Sequence, residues 1–76
     1  MTTTTVALKA IDDVKNFVNT IMRFDFDIDL VSGRYAIDAK SIMGIFSLNL
    51  SKPIKVEAHC GDDEKFMEEV KRFIVD

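Results

Sequence analysis

The stretch Lys40-Ser41-Ile42-Met43-Gly44-Ile45-Phe46-Ser47-Leu48 decides how this chain is read. A serine just ahead of an apolar run at helical spacing is an N-cap, because its hydroxyl accepts a backbone N–H that the first helical turn leaves unpaired. The spacing predicts a short helix that opens at Ser41 and carries Ile42, Met43, Ile45, Phe46 and Leu48. Lys52-Pro53 closes the region, since proline cannot continue a helix interior.

Outward from this helix the apolar pattern switches between the two periods that distinguish strands from helices. Upstream, Phe24, Phe26, Ile28 and Leu30 alternate with Asp25, Asp27 and Asp29, which predicts a strand with one apolar and one acidic face. Ser32-Gly33 supplies a turn and Tyr35 to Ala39 returns as a shorter strand, so the pair forms a hairpin. Before them, Val14, Phe17, Val18, Ile21 and Met22 recur on one helical face, capped by Asp12 or Asp13 and running to about Phe24. Thr4 to Lys9 reads as a first strand with Val6 and Leu8 on one face.

Downstream, Ile54, Val56, Ala58 and Cys60 alternate with Lys55, Glu57 and His59 in a fourth strand that Gly61 breaks. Asp62 or Asp63 caps a last helix with Phe66, Val70, Phe73 and Ile74 on its apolar face. The order is β-α-β-β-α-β-α. Strands with one polar face each imply an antiparallel sheet covered on one side by helices, an α+β open-faced sandwich.

Size and composition narrow the function. With 76 residues, 47% of them apolar, the chain is read as one domain spanning residues 1–76 with a small core. Such a core supplies only about 3–5 kcal/mol of net stability. A net charge of −3 without a basic stripe argues against nucleic acid. The opening Met1-Thr2-Thr3-Thr4-Thr5 has no basic or apolar leader character, no stretch is long enough to span a bilayer, and Cys60 is the single cysteine. Together these predict a cytoplasmic protein with no membrane partner, no disulfide framework and, with one histidine, no zinc site. Neither a cofactor nor a metal is expected.

The run from Lys40 to Leu48 resembles the regulatory-serine segment of the HPr family, the histidine-containing phosphocarriers of the bacterial sugar phosphotransferase system. The element order is similar to that family's, with Met22 to Leu30, Gly33 and Gly61-Asp62-Asp63-Glu64 falling where its elements are expected. The resemblance implies an HPr-like sandwich, a four-stranded antiparallel sheet with three helices on one face. It covers residues 14 to 75 at the level of the fold, and its specificity lies mainly in residues 40–48.

One segment departs from the pattern. Family members carry a Gly-aliphatic-His-Ala-Arg-Pro run before the first helix, where this chain has Lys9-Ala10-Ile11-Asp12-Asp13. A phosphohistidine needs helix N-terminal N–H donors and a nearby arginine. Two aspartates at the helix start repel phosphate instead. The resemblance is then to members of the Crh type, which lack the histidine, keep the serine and serve regulation.

Each candidate residue has a plain and a functional reading. Ser41 is a helix cap or, as the resemblance implies, a serine phosphorylated by an HPr kinase in the control of catabolite repression. Ile42, Met43 and Phe46 belong to the core or to an apolar patch that docks a partner, and Lys40 is solvated or adds a charge contact. Partners implied by the resemblance are an HPr kinase/phosphorylase, a LacI-type transcriptional regulator or phosphotransferase-system enzymes.

His59 falls on the polar face of its strand beside Lys55 and Glu57, away from a helix N-terminus, and is expected to be a solvent-facing side chain. Asp25, Asp27 and Asp29 lack the tight glycine turn and terminal glutamate of a calcium loop and read as a solvated face. Cys60 reads as a small core residue. The expectation is a non-enzymatic regulatory or binding protein with no catalytic residues. The alternatives are an HPr-like fold repurposed for an unrelated binding role, or a phosphocarrier using His59.

Overall fold

The structure, a computed structural model, describes residues 1–61 and 63–75. Its elements are β1 (Thr2–Val6), α1 (Ile11–Ile21), β2 (Ile28–Ser32), β3 (Tyr35–Asp38), α2 (Ile42–Phe46), β4 (Ile54–Ala58) and α3 (Glu64–Val70), the last running into a 3₁₀ turn at Lys71–Phe73. The α+β class and the β-α-β-β-α-β-α order follow the sequence pattern.

The strands form one antiparallel sheet in the order β1-β4-β2-β3. β4 pairs with β1 through Thr4↔Val56 and with β2 through Leu30↔Val56, so the last strand in sequence lies between the first two. Period-2 alternation turns Ile54, Val56 and Ala58 inward with Ile28, Leu30 and Val6. Against that face pack Val14, Phe17 and Ile21 of α1, Ile45 of α2, and Phe66 and Val70 of α3, all fully buried. The opposite face carries Lys55, Glu57 and Asp29, in accord with an open-faced sandwich.

Aromatic rings organise the helical layer. Phe17 and Phe73 meet edge to face at 5.3 Å, and Phe66 stands edge-on to Phe24 at 5.4 Å and to Phe26 at 5.6 Å. These T-shaped arrangements are the ones the ring quadrupoles favour.

Several boundaries differ from the sequence reading, each because backbone partners lie elsewhere. β1 ends at Val6, opposite Ile54, since Pro53 offers no N–H to continue the ladder. Beyond that point the C-terminal segment takes over: Val75 N–H donates to Thr5 O at 2.9 Å, Ala7 N–H donates to Phe73 O at 2.9 Å, and Ile74 bridges Val6. The N-cap of α1 is Ala10, with Asp13 reaching back to accept from Ala10 N–H at 3.2 Å, and the helix stops at Ile21.

The strand expected from Phe24 begins only at Ile28. Phe24 and Phe26 still bury their rings, but from a loop whose carbonyls are bonded by a lysine rather than by a strand. β4 likewise stops at Ala58, leaving Cys60 half-buried beyond it, with its thiol 3.7 Å from Thr2 Oγ1. Asp63 caps α3 by accepting from Phe66 N–H at 2.9 Å, and the alternative cap Asp62 lies outside the described residues.

The β2–β3 turn has Gly33 at φ +60° while Arg34 keeps a negative φ, the pattern of a two-residue turn with glycine in its first central position. An L-residue there is strained, so Gly33→Ala should lower stability by about 1–2 kcal/mol in chemical denaturation. Phe66→Ala removes the ring on which Phe24 and Phe26 pack and should cost about 3–5 kcal/mol. That matches the whole stability expected of so small a core, so the variant should be largely unfolded by circular dichroism.

Candidate functional site

The candidate site is the segment from Asp38 to Ser47, where β3 hands the chain to α2. Asp38 organises the turn: its carboxylate accepts from Lys40 N–H at 2.9 Å and its carbonyl from Ser41 N–H at 3.0 Å. This is the local side-chain-to-backbone bonding by which aspartate competes with a continuing strand. Ser41 then stands in extended conformation as the N-cap, its Oγ accepting from Gly44 N–H at 3.2 Å. At the far end Ser47 donates through both N–H and Oγ to Gly44 O, so both ends of this five-residue helix are capped by serine.

The helix divides its apolar residues cleanly. Ile45 is fully buried and Ile42 half-buried against the core, while Met43 is 77% exposed and Phe46 40% exposed. Met43 and Phe46 are three residues apart and therefore share one outward strip beside the exposed Ser41. Gly44 lies under this strip: a Cβ there would meet Ile37 Cδ1 at 3.2 Å and Ser41 Oγ at 3.3 Å, so α2 packs closely against β3 at this point and an added side chain would have to displace one of them by a few tenths of an ångström.

Lys40 is neither solvated nor free. Its Nζ donates to Phe24 O at 2.6 Å and Phe26 O at 3.2 Å, pinning the α1–β2 loop to the start of α2. Nothing in the local sequence signals this contact, because its partners lie 16 and 14 residues upstream.

The other candidates are separate from this strip. The β1–α1 connection holds no histidine, and the first turn of α1 carries Asp12 and Asp13. Arg23 and Arg72 serve the opposite end of α1. Arg23 follows its last turn and meets Glu69 at 3.7 Å, while Arg72 donates to Thr20 Oγ1 at 3.3 Å and lies over the Phe73 ring.

His59 is exposed just past β4, as the alternation implied. Its Nε2 meets Asp29 Oδ2 at 2.9 Å, tying β2 to the end of β4. The aspartate run therefore does not form one solvated strand face: Asp25 and Asp27 sit in a loop, and half-buried Asp29 has a partner. Among the described residues no group of three His, Cys, Asp or Glu could hold a metal, and no helix is long and apolar enough to cross a membrane.

Comparison with known proteins follows this geometry. The family model described as the PTS HPr component phosphorylation site matches residues 13–76. The chain belongs to the HPr family, the phosphocarrier family of the phosphotransferase system. Among solved structures it is similar to HPr-C-His from Thermoanaerobacter tengcongensis, with 28% identity and a TM-score of 0.78 over 95% of this chain and 89% of that one. It shares its fold with the phosphocarrier protein HPr from Bacillus anthracis str. Ames, with 24% identity and a TM-score of 0.71 over 97% and 96% of the two chains. No curated protein matches the sequence.

The division of α2 into inward and outward residues is testable by two charge insertions. Met43→Asp should leave the circular dichroism spectrum and Tm of the wild type, whereas Ile45→Asp buries a carboxylate without a partner and should abolish cooperative unfolding. Lys40→Met should lower stability by about 1.5 kcal/mol, read by urea denaturation, because two carbonyls lose a charged donor.

Proposed function

We propose that this HPr-family chain is a regulatory, protein-binding module rather than a phosphocarrier, docking a protein partner through Met43 and Phe46 with Ser41 as its switch. The observation that carries the reading is the outward strip of α2: a large, adaptable methionine and an aromatic ring stand exposed next to an exposed serine hydroxyl. Ile42 would support the strip from below, and Lys40 would hold the segment in place through the loop carbonyls it bonds.

The start of α1 supports the same reading from the other side. A phosphoryl group accepted there needs a histidine, backbone donors and an arginine, and Asp12 and Asp13 put negative charge in their place. His59 is a poor substitute, since its ring nitrogen already faces the Asp29 carboxylate, which repels an incoming phosphate. The chain thereby fits the histidine-free, serine-keeping Crh type, acting in a bacterial cytoplasm in catabolite repression and without catalytic residues of its own.

In this reading an ATP-dependent HPr kinase transfers a phosphoryl group to Ser41 Oγ. The new oxygens retain the Gly44 N–H as a donor and add charge for an arginine of the partner. A LacI-type regulator is the partner class implied by the family, with phosphotransferase-system enzymes the other.

Intact mass after incubation with an HPr kinase and ATP tests the switch. Wild type should gain one phosphate and Ser41→Ala none, with the variant's fold verified because loss of the cap costs about 1 kcal/mol. An unlabelled wild type, beside a true HPr labelled in parallel, would leave Ser41 as a cap alone.

A further inference from the structure

We propose that the cleft between the β2–β3 hairpin tip and the segment after α2 binds a small phosphate monoester bearing a planar ring, of the nucleoside monophosphate class. The cleft has a volume of about 460 Å³, within the ~300–1,000 Å³ typical of small-molecule sites. Arg34 and Tyr35 line it from the hairpin, and Leu48, Asn49 and Lys52 from the other side.

Its chemistry is one-sided. The chain is acidic overall, yet no carboxylate lines this cleft while an arginine and a lysine do. Some cations of the molecule are engaged, Lys55 with Glu57 at 3.2 Å, Arg23 with Glu69 and Lys40 with two carbonyls. Lys9, Lys15, Lys65 and Lys71 have no ion pair among the described residues and line no part of this cleft. Among the described residues Arg34 and Lys52 have no such ion pair.

Asn49 adds a donor. Its Oδ1 accepts from Ser51 N–H at 3.1 Å and Ser51 Oγ at 2.6 Å, which leaves its NH₂ as the group without an assigned partner. The guanidinium, the ammonium and the amide NH₂ are donors that suit a phosphate dianion, beside the hydroxyls of Ser32, Ser47 and Tyr35, which can donate or accept.

Tyr35 and Leu48 give the cleft apolar lining beside Ser32 and Ser47. Tyr35 is 72% exposed and Leu48 half-buried, so a ring and an aliphatic side chain flank the donors. An exposed tyrosine face is a stacking surface for a planar ring, and base-on-aromatic stacking is tolerant of base identity. The hairpin offers this surface on a fixed backbone, since Gly33 at φ +60° sets the turn that carries Arg34 and Tyr35.

The cleft starts at Ser47, next to Phe46, but is lined by residues other than Met43, Phe46 and Ser41, and it does not depend on Ser41 being phosphorylated. Amide NMR titration of the intact chain with adenosine 5′-monophosphate, adenosine and inorganic phosphate tests the proposal. The nucleotide should move the signals of Gly33, Arg34, Tyr35, Asn49 and Lys52 saturably at low millimolar concentration. Adenosine alone and phosphate alone should each bind about tenfold more weakly, and Arg34→Gln and Lys52→Gln should each weaken the nucleotide about tenfold with unchanged circular dichroism.

Shifts absent from the cleft, phosphate binding as tightly as the nucleotide, or a folded Lys52→Gln that binds like wild type would each overturn the assignment.

Discussion

Everything in this small domain hangs on the seating of β4. Ile54–Ala58 hydrogen-bonds β1 on one side and β2 on the other, so the sheet has no continuous core until the fourth strand arrives. Val56 is the centre of that arrangement, opposite Thr4 and Leu30 at once and fully covered by the helices. The ladder joins residues more than 50 positions apart, as in Thr2↔Ala58, and such pairings carry a loop-closure cost before they give anything back. The helices then complete what the strand begins, each contributing fully buried side chains to one shared core.

With β4 in place, the α2 segment is held by its neighbours rather than by its own length. An isolated five-residue helix is not stable in water. Here α2 is fixed by a serine cap at each end, by Ile45 in the core, by the close approach of Gly44 to Ile37, and by the Asp38 turn ahead of it. Lys40 links this segment to the loop that carries Phe24 and Phe26, and those rings pack on Phe66 of α3. The outward residues Met43 and Phe46 are thus held on a fixed base, which would lower the ordering cost of a partner docking there as proposed.

The legible part of this fold was the part written in short-range periodicity. Ile54, Val56 and Ala58 alternate and are buried; Val14, Phe17 and Ile21 repeat at helical spacing and are buried; Ser41 precedes an apolar run and caps it. The pattern misled where alternation came without strand partners. Phe24 and Phe26 alternate with aspartates just as Ile28 and Leu30 do, but the ladder of β4 ends at Ala58, opposite Ile28, and their carbonyls go to a lysine. The Lys40 bridge, the His59–Asp29 pair and the cleft beside the hairpin tip all join residues distant in sequence, so no local window contains them. Asp13 capping from inside α1, with alanine at the N-cap position, was likewise hidden because the usual signal places the polar residue first.

The hydrogen bonds from Val75 to Thr5 and from Ala7 to Phe73 have a bearing on how copies of this chain behave together. An unpaired strand edge is a template on which another chain can build. Residues 73–75 sit across the apolar end of β1, where Val6 would otherwise invite such growth, and leave its threonine-rich end facing outward. The opposite edge, β3, is four residues long and closes on Asp38, whose charge discourages a neighbouring strand. Each margin of the sheet is thus a poorer template than a bare strand, the β1 margin through two hydrogen bonds from the C-terminal segment and the β3 margin through its brevity and its charge.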